Sequence, residues 1–372
     1  MTGFAPHGST AESASALWRR ALTVIAANPF GTIFTLVLAY LVATLGVRVV
    51  DWAIVDATWI AAGRAGCNPG GACWAFILNR LPQFGFGFYP DAERWRAWPV
   101  LLWPPILLML AMAPDFRGRL KIVIAGFGLY PIVAFLLLAG GLAGLPSVPP
   151  DRWGGLLLTM LVGTSAFVLS FPLAIVLALA RTSALPAIRI MAGAFIEFWR
   201  GMPLVAILFM SVIMLPLFLP PGLEAPRIAL AMTGITLYSS AYLAEVLRGG
   251  LQGVGRGQSE AAGALGFGFW TTQGYIVMPQ ALRAVLPGVV NSAISLFKDS
   301  TYVMVVGLFD LLNIVTAALS DAKWLGLTTE GYVFVGLIYW SFCFGLSQVS
   351  ARLERDADRR DRIFQRGAER RS

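Results

Sequence analysis

Long apolar runs separated by short polar segments make up most of the chain. Eight runs stand out, near Phe30 to Trp52, Trp98 to Ala113, Ile122 to Leu145, Leu156 to Ala180, Pro203 to Leu219, Ile228 to Leu247, Val285 to Leu308 and Tyr332 to Ser350. A stretch of about 20 apolar residues matches the hydrocarbon thickness of a bilayer, whereas a soluble helix of that length needs a polar face. The pattern predicts an all-α integral membrane protein with about eight transmembrane helices. The second run is the shortest, and Pro104 and Pro105 predict a kink or a partly interfacial course there.

The polar segments divide the chain and orient it. Pro146, Pro149 and Pro150 mark a boundary between residues 1–150, with three spans and a long loop from Ala53 to Ala97, and residues 151–350, with five spans. Residues 351–372 form a basic tail alternating Arg with Asp and Glu, a solvated helix in its simplest reading. No internal repeat is visible. With the N-terminus placed inside, 19 Lys and Arg fall in inside segments, among them Arg19, Arg20 and Arg117, and 7 in outside ones. That excess predicts both termini on the cytoplasmic side. Met1 to Ala16 is polar, and the apolar run after it is too long for a signal peptide, so the first span is expected to remain in the mature protein.

Composition narrows the chemistry. Apolar residues make up 57% of the chain and charged residues only 13%, against roughly a quarter charged in a globular domain. The net charge of +8 sits in loops and tail, as membrane orientation requires, and does not point to nucleic acid. The only histidine is His7, which excludes Ser-His-Asp hydrolysis, zinc sites and histidine proton relays. Lysine occurs at Lys121, Lys298 and Lys323, none after a glycine, so no Gly-Lys-Ser/Thr phosphate loop exists. The chain reads as a non-catalytic subunit with no metal site and no cofactor of its own. Any ATP-driven role requires a partner chain. Cys343 lies in an apolar run and reads as a small buried residue. Cys67 and Cys73 share one polar loop; they are either a disulfide, if the loop faces an oxidising compartment, or two free thiols.

The segment between the sixth and seventh spans, Arg248 to Arg283, carries the most specific pattern. Within Ser259-Glu260-Ala261-Ala262-Gly263-Ala264-Leu265-Gly266, Ser259 can cap a short helix, with Glu260 in its first turn and Gly266 ending it. The helix would show the small side chains of Ala261, Ala262 and Ala264 and one larger apolar residue, Leu265. It reads as a docking element. Glu260-Ala261-Ala262, Gly266, Ile276 and Pro279 stand at the spacing of the signature shared by permease subunits of binding-protein-dependent ABC importers, which the chain resembles, with Met278 where Leu is usual. Arg200-Gly201-Met202-Pro203-Leu204, the run from Tyr242 through Glu245 to Arg248-Gly249-Gly250, and Leu296-Phe297-Lys298-Asp299-Ser300 resemble elements of the polar amino-acid permeases. The three extra N-terminal spans look like those of the larger M-type subunit of general L-amino-acid permeases.

The resemblance implies a five-span permease core plus three N-terminal spans in a bacterial inner membrane. It also implies a second permease subunit, identical or homologous, and two ATPase subunits that bind ATP and Mg²⁺. An external substrate-binding protein delivers an amino acid. Residues Glu260, Ala261, Ala262, Leu265 and Gly266 would couple to the ATPase.

Charged groups inside the spans admit two readings. Lys298 and Asp299 fall near the middle of the seventh span, where an ionised side chain costs several kcal/mol, so they should meet protein or water. They are either a translocation-path element or a structural pair, and adjacent residues do not both face one lumen. Thr236, Ser239 and Ser240 either line the path or pack helices. Glu245 and Arg248 are spaced for a local pair or for a contact to the docking loop. A transporter or channel acting alone would need deep carboxylates or histidines for ion coupling, and only Asp299 qualifies. A membrane scaffold without transport activity is the third class.

Overall fold

A computed structural model describes residues 29–113, 118–141 and 144–369. Expectations resting on His7, Arg19, Arg20, Arg117, the N-terminal polar segment or Arg370 and Arg371 lie outside the described residues. Among the described residues the chain is helical, without a β-strand. Seven helices are long and apolar enough to cross a membrane, or eight if a bent pair is one span. The described residues form two compact units, divided between Ala75 and Phe76.

The first unit holds α1 (Pro29–Val50), prolonged by a π-helical turn, Asp51–Val55, and then a tight loop. Thr58 N donates to Ala72 O at 2.8 Å, and Trp74 Nε1 donates to Ala53 O at 2.7 Å. The Asn68 side chain accepts from Gly70 N and donates to Asp56 O. Cys67 and Cys73 are joined by a disulfide, their Cα atoms 5.6 Å apart. Helix α2 (Trp74–Phe86) follows, so the segment Ala53 to Ala97 is not one irregular loop.

The second unit contains α3 (Arg94–Met112), α4 (Arg119–Ala139), α5 (Gly155–Arg181), α6 (Pro186–Gly201), α7 (Leu204–Phe209), α8 (Arg227–Gly253), α9 (Arg256–Ala264), α10 (Phe269–Thr272), α11 (Met278–Asp299), α12 (Ile314–Leu319) and α13 (Thr328–Glu369). Helix α3 runs unbroken through Pro99, Pro104 and Pro105. Pro104 has no N–H for the Val100 carbonyl, and the buried Tyr130 hydroxyl of α4 donates to that oxygen instead, at 3.3 Å. The fifth expected span is matched by the helical stretch Leu204–Phe218, and α6, which precedes it, meets that stretch at 103°. Pro203 causes the break, since it cannot continue the ladder and holds Met202 in an extended conformation.

Helices α5 and α8 form the centre, with α11 against both and α3 and α4 packed on α5. One end of this unit is closed by backbone contacts. Gly155 N donates to Phe309 O at 2.8 Å, and Leu311 N to Thr159 Oγ1 at 3.0 Å. Gly155 has φ +62°, and a Cβ there would lie 2.3 Å from Phe84 O. Buried Asp310 accepts from Leu312 N at 3.1 Å and Asn313 N at 3.0 Å, with the Tyr339 hydroxyl at 3.5 Å. Asp310 lies outside the membrane-crossing helices, and burial pushes its carboxyl up to about 6 against the pull of those donors. Arg96, counted with the loop charges in the sequence, is fully buried: it pairs with Glu93 at 3.0 Å and donates to Pro146 O at 3.1 Å.

Candidate functional site

Two features stand at the opposite end of α8. The first is the loop after it. Helix α9 begins at Arg256 with Gly255 as its N-cap, so Ser259 and Glu260 lie inside the helix and Ser259 caps nothing. Its C-terminus follows the reading of Gly266. That glycine has φ +79°, Gly266 N donates to Gly263 O at 2.9 Å, and Phe267 N to Ala262 O at 3.0 Å. This pair of bonds satisfies the last carbonyls, and the left-handed residue suits glycine. Ala262 is buried, whereas Glu260 and Ala261 are exposed. Leu265 is 76% exposed, and beyond it Trp270 is 75% and Tyr275 83% exposed. The loop thus exposes Leu265 and the aromatic side chains of Phe267, Phe269, Trp270 and Tyr275, with the Phe269 and Trp270 rings 5.1 Å apart. These aromatics were not singled out in the sequence, where a lone Trp in an apolar context carries no positional signal.

The second feature is a polar strip on α8. Tyr238, Tyr242 and Glu245 share one face at helical spacing. The rings of Tyr238 and Tyr242 are 4.7 Å apart. The Tyr242 hydroxyl donates to Arg200 O at 3.3 Å, and the Arg200 guanidinium lies 5.3 Å from its ring centroid. Glu245 pairs with Arg248 at 2.7 Å and with Arg200 of α6 at 3.9 Å. The local pair read from the sequence is therefore present, with a third member from another helix. Further along the strip Tyr238 is within electrostatic reach of Asp299 and Tyr302.

Lys298 and Asp299 separate. Asp299 is half-buried toward the α8 tyrosines, while Lys298 is exposed and within electrostatic reach of Cys343 on α13. Cys343 itself is half-buried. Thr236 and Ser240 lie on the face of α8 away from Tyr238, about 200° around for a two-residue step. Ser240 is buried and donates to Leu237 O at 2.7 Å. Thr236 borders a groove shared with Pro131 and Phe135 of α4, and its hydroxyl has no hydrogen-bond partner among the described residues. Ser239 is half-buried between these faces. The five candidates do not converge on one point.

Residues 170–359, which include the whole loop and strip, match the family described as binding-protein-dependent transport system inner membrane component. The chain belongs to this family. The inner membrane amino-acid ABC transporter permease protein YhdY of Escherichia coli (strain K12) is 45% identical over 311 residues, covering 82% of this chain and 83% of YhdY. The glutamate/glutamine/aspartate/asparagine transport system permease protein BztC of Rhodobacter capsulatus is 40% identical over 357 residues, covering 81% and 82%. A solved structure, "Crystal structure of an amino acid ABC transporter with histidines", aligns with a TM-score of 0.47 at 29% identity, over 53% of this chain and 90% of that one. Membership makes the chain a permease component of an importer in the inner membrane, with seven or eight candidate spans in agreement. Family membership also places the loop and strip in the shared part of the molecule, while α1 to α4 precede the matched region.

Proposed function

We propose that this permease forms half of the pathway of an ATP-driven amino-acid importer and engages a separate ATPase through α9. The observation that carries this reading is the exposed end of α9. A nine-residue helix closes on a left-handed glycine and leaves Leu265, Trp270 and Tyr275 projecting beside it. Exposed apolar side chains gathered in one short loop segment mark a protein contact. Lacking a phosphate loop, the chain draws its energy from a partner. A second permease subunit completes the path, and an external binding protein supplies substrate. ATP and Mg²⁺ sit in two ATPase subunits, and their closure rocks the spans between two openings. Both termini face the cytoplasm in this arrangement. The acidic and amide amino acids named for BztC set the first substrates to try. The Asp299, Tyr238 and Tyr242 strip offers acceptors and hydroxyls to the substrate ammonium, while Lys298, turned toward α13, serves a separate position on the path.

Gly266→Leu tests the docking role. No heavy atom would lie within 4 Å of an added Cβ, so the cost is confined to the left-handed backbone of the loop. Normal membrane levels with uptake of radiolabelled glutamate and glutamine abolished are expected. Wild-type uptake by this variant would refute the role of α9. Lys298→Ala should change transport while the ATPase stays bound; failure to assemble would make Lys298 a structural residue instead.

A further inference from the structure

A cavity of about 560 Å³ lies between α3 and α4 on one side and α5, α11 and α13 on the other, within the range of about 300–1,000 Å³ typical of ligand pockets. Phe127 and Gly128 of α4, Phe171 of α5, Val290 of α11 and Phe342 and Leu346 of α13 form its walls. Among the described lining side chains, Thr164 alone carries a polar atom. The cavity is open at Gly128, which is exposed and where an added Cβ would meet no atom within 4 Å. All of these walls belong to membrane-crossing helices. Water in such a space would find too few partners, and a vacuum would forfeit the dispersion contacts of its lining. The medium that reaches it is acyl chain.

Its ends are not alike. Lys121 shares a face of α4 with Ile124 and Gly128, both lining residues, at the i, i+3, i+7 spacing. Arg352 is one turn beyond Val349, the last lining residue of α13. Its Nη1 reaches across to Met112 Sδ at the end of α3, 3.8 Å away. The guanidinium therefore spans two walls at the same end as Lys121. Arg119 beside it donates to Ala113 O, and Glu354, the nearest described carboxylate in sequence to Arg352, accepts from Ser350 at 3.4 Å. Clustered cations at the ends of membrane helices recognise anionic headgroups.

We infer that this cavity is a phospholipid site. One acyl chain lies between α4, α5, α11 and α13, and an anionic phosphate headgroup is held by Lys121 and Arg352. In the proposed orientation this lipid belongs to the inner leaflet. The inference stands apart from the α9 docking role, since neither the cavity nor its cations include a loop residue.

Native mass spectrometry of the full chain, purified with its associated subunits and exchanged into phosphatidylglycerol and phosphatidylethanolamine, tests this. The wild type should retain one phosphatidylglycerol per chain after delipidation. Gly128→Leu and Ala293→Phe, each eluting as the wild type does, should lose it. Lys121→Gln and Arg352→Gln should lower the preference for phosphatidylglycerol by about fivefold for each charge removed. Equal retention of the two lipids by the wild type overturns the headgroup assignment. Undiminished retention in both filled variants, or no lipid retained by the wild type, overturns the site.

Discussion

The two ends of the permease core are built on opposite principles. At the Asp310 end the chain satisfies itself. Gly155 and Phe309 share a backbone hydrogen bond, Thr159 takes the Leu311 N–H, and Asp310 is fully buried with its donors. At the α9 end the chain stops short of satisfying itself, leaving Leu265, Trp270 and Tyr275 in the open. The first end is finished by folding alone. In the proposed arrangement the second is finished by a partner ATPase. Substitutions at the two ends should therefore fail in different ways, one by unfolding and one by uncoupling.

The sharpest contrast pairs Gly155→Ala with Leu265→Ala. A Cβ at Gly155 would lie 2.3 Å from Phe84 O and 2.9 Å from Gln83 O, on a residue with φ +62°. Backbone strain and overpacking together should cost about 3 kcal/mol or more. Thermal unfolding in detergent should show a large fall in Tm for Gly155→Ala and almost none for Leu265→Ala. Equal losses would erase the distinction.

A smaller effect concerns pH. The Asp310 carboxyl titrates at about 6 in the folded chain against 3.8 when free. Its folded value is raised, so the protonated form favours folding. That contribution is complete below about pH 4, declines as pH rises and is gone above about pH 6, a span of about 3 kcal/mol. Asp310→Asn keeps an acceptor for the Leu312 or Asn313 N–H and cannot titrate. The difference in unfolding free energy between wild type and variant should drift between pH 4 and pH 6. A flat difference would mean that the carboxyl is not buried as described.

Much of this architecture was legible in the sequence, for identifiable reasons. Apolar runs report the bilayer directly, so most spans appear close to their expected places, but the helix of the seventh, α11, runs Met278–Asp299 and puts Lys298 and Asp299 in its last turn rather than near the middle. Gly266 was legible because a left-handed helix end nearly demands glycine. Other features depend on neighbours distant in sequence. Arg96 looked like a loop charge until Glu93 and the Pro146 carbonyl enclosed it. The prolines of α3 predicted a kink or an interfacial course, and nothing in the sequence signalled that Tyr130 would take the Val100 carbonyl. Pro203 carried the opposite lesson, since its effect is local and could have been read as a broken span. The opposite directions of Lys298 and Asp299 followed from their adjacency, but their neighbours, Cys343 and Tyr238, required the packing of α8 and α13 against α11.

Cross-linking from the two ends tests the central claim most directly. Leu265→Cys and Leu325→Cys each place a thiol at an exposed position, 76% and 55% exposed in the native residues, one at each end of the core. A thiol-directed photo-cross-linker is attached to each variant in native membranes, and adducts are identified by mass. The account predicts an adduct between position 265 and a separate ATPase polypeptide, and none from position 325. An ATPase adduct from position 325, or none from position 265 in membranes that transport, would contradict it.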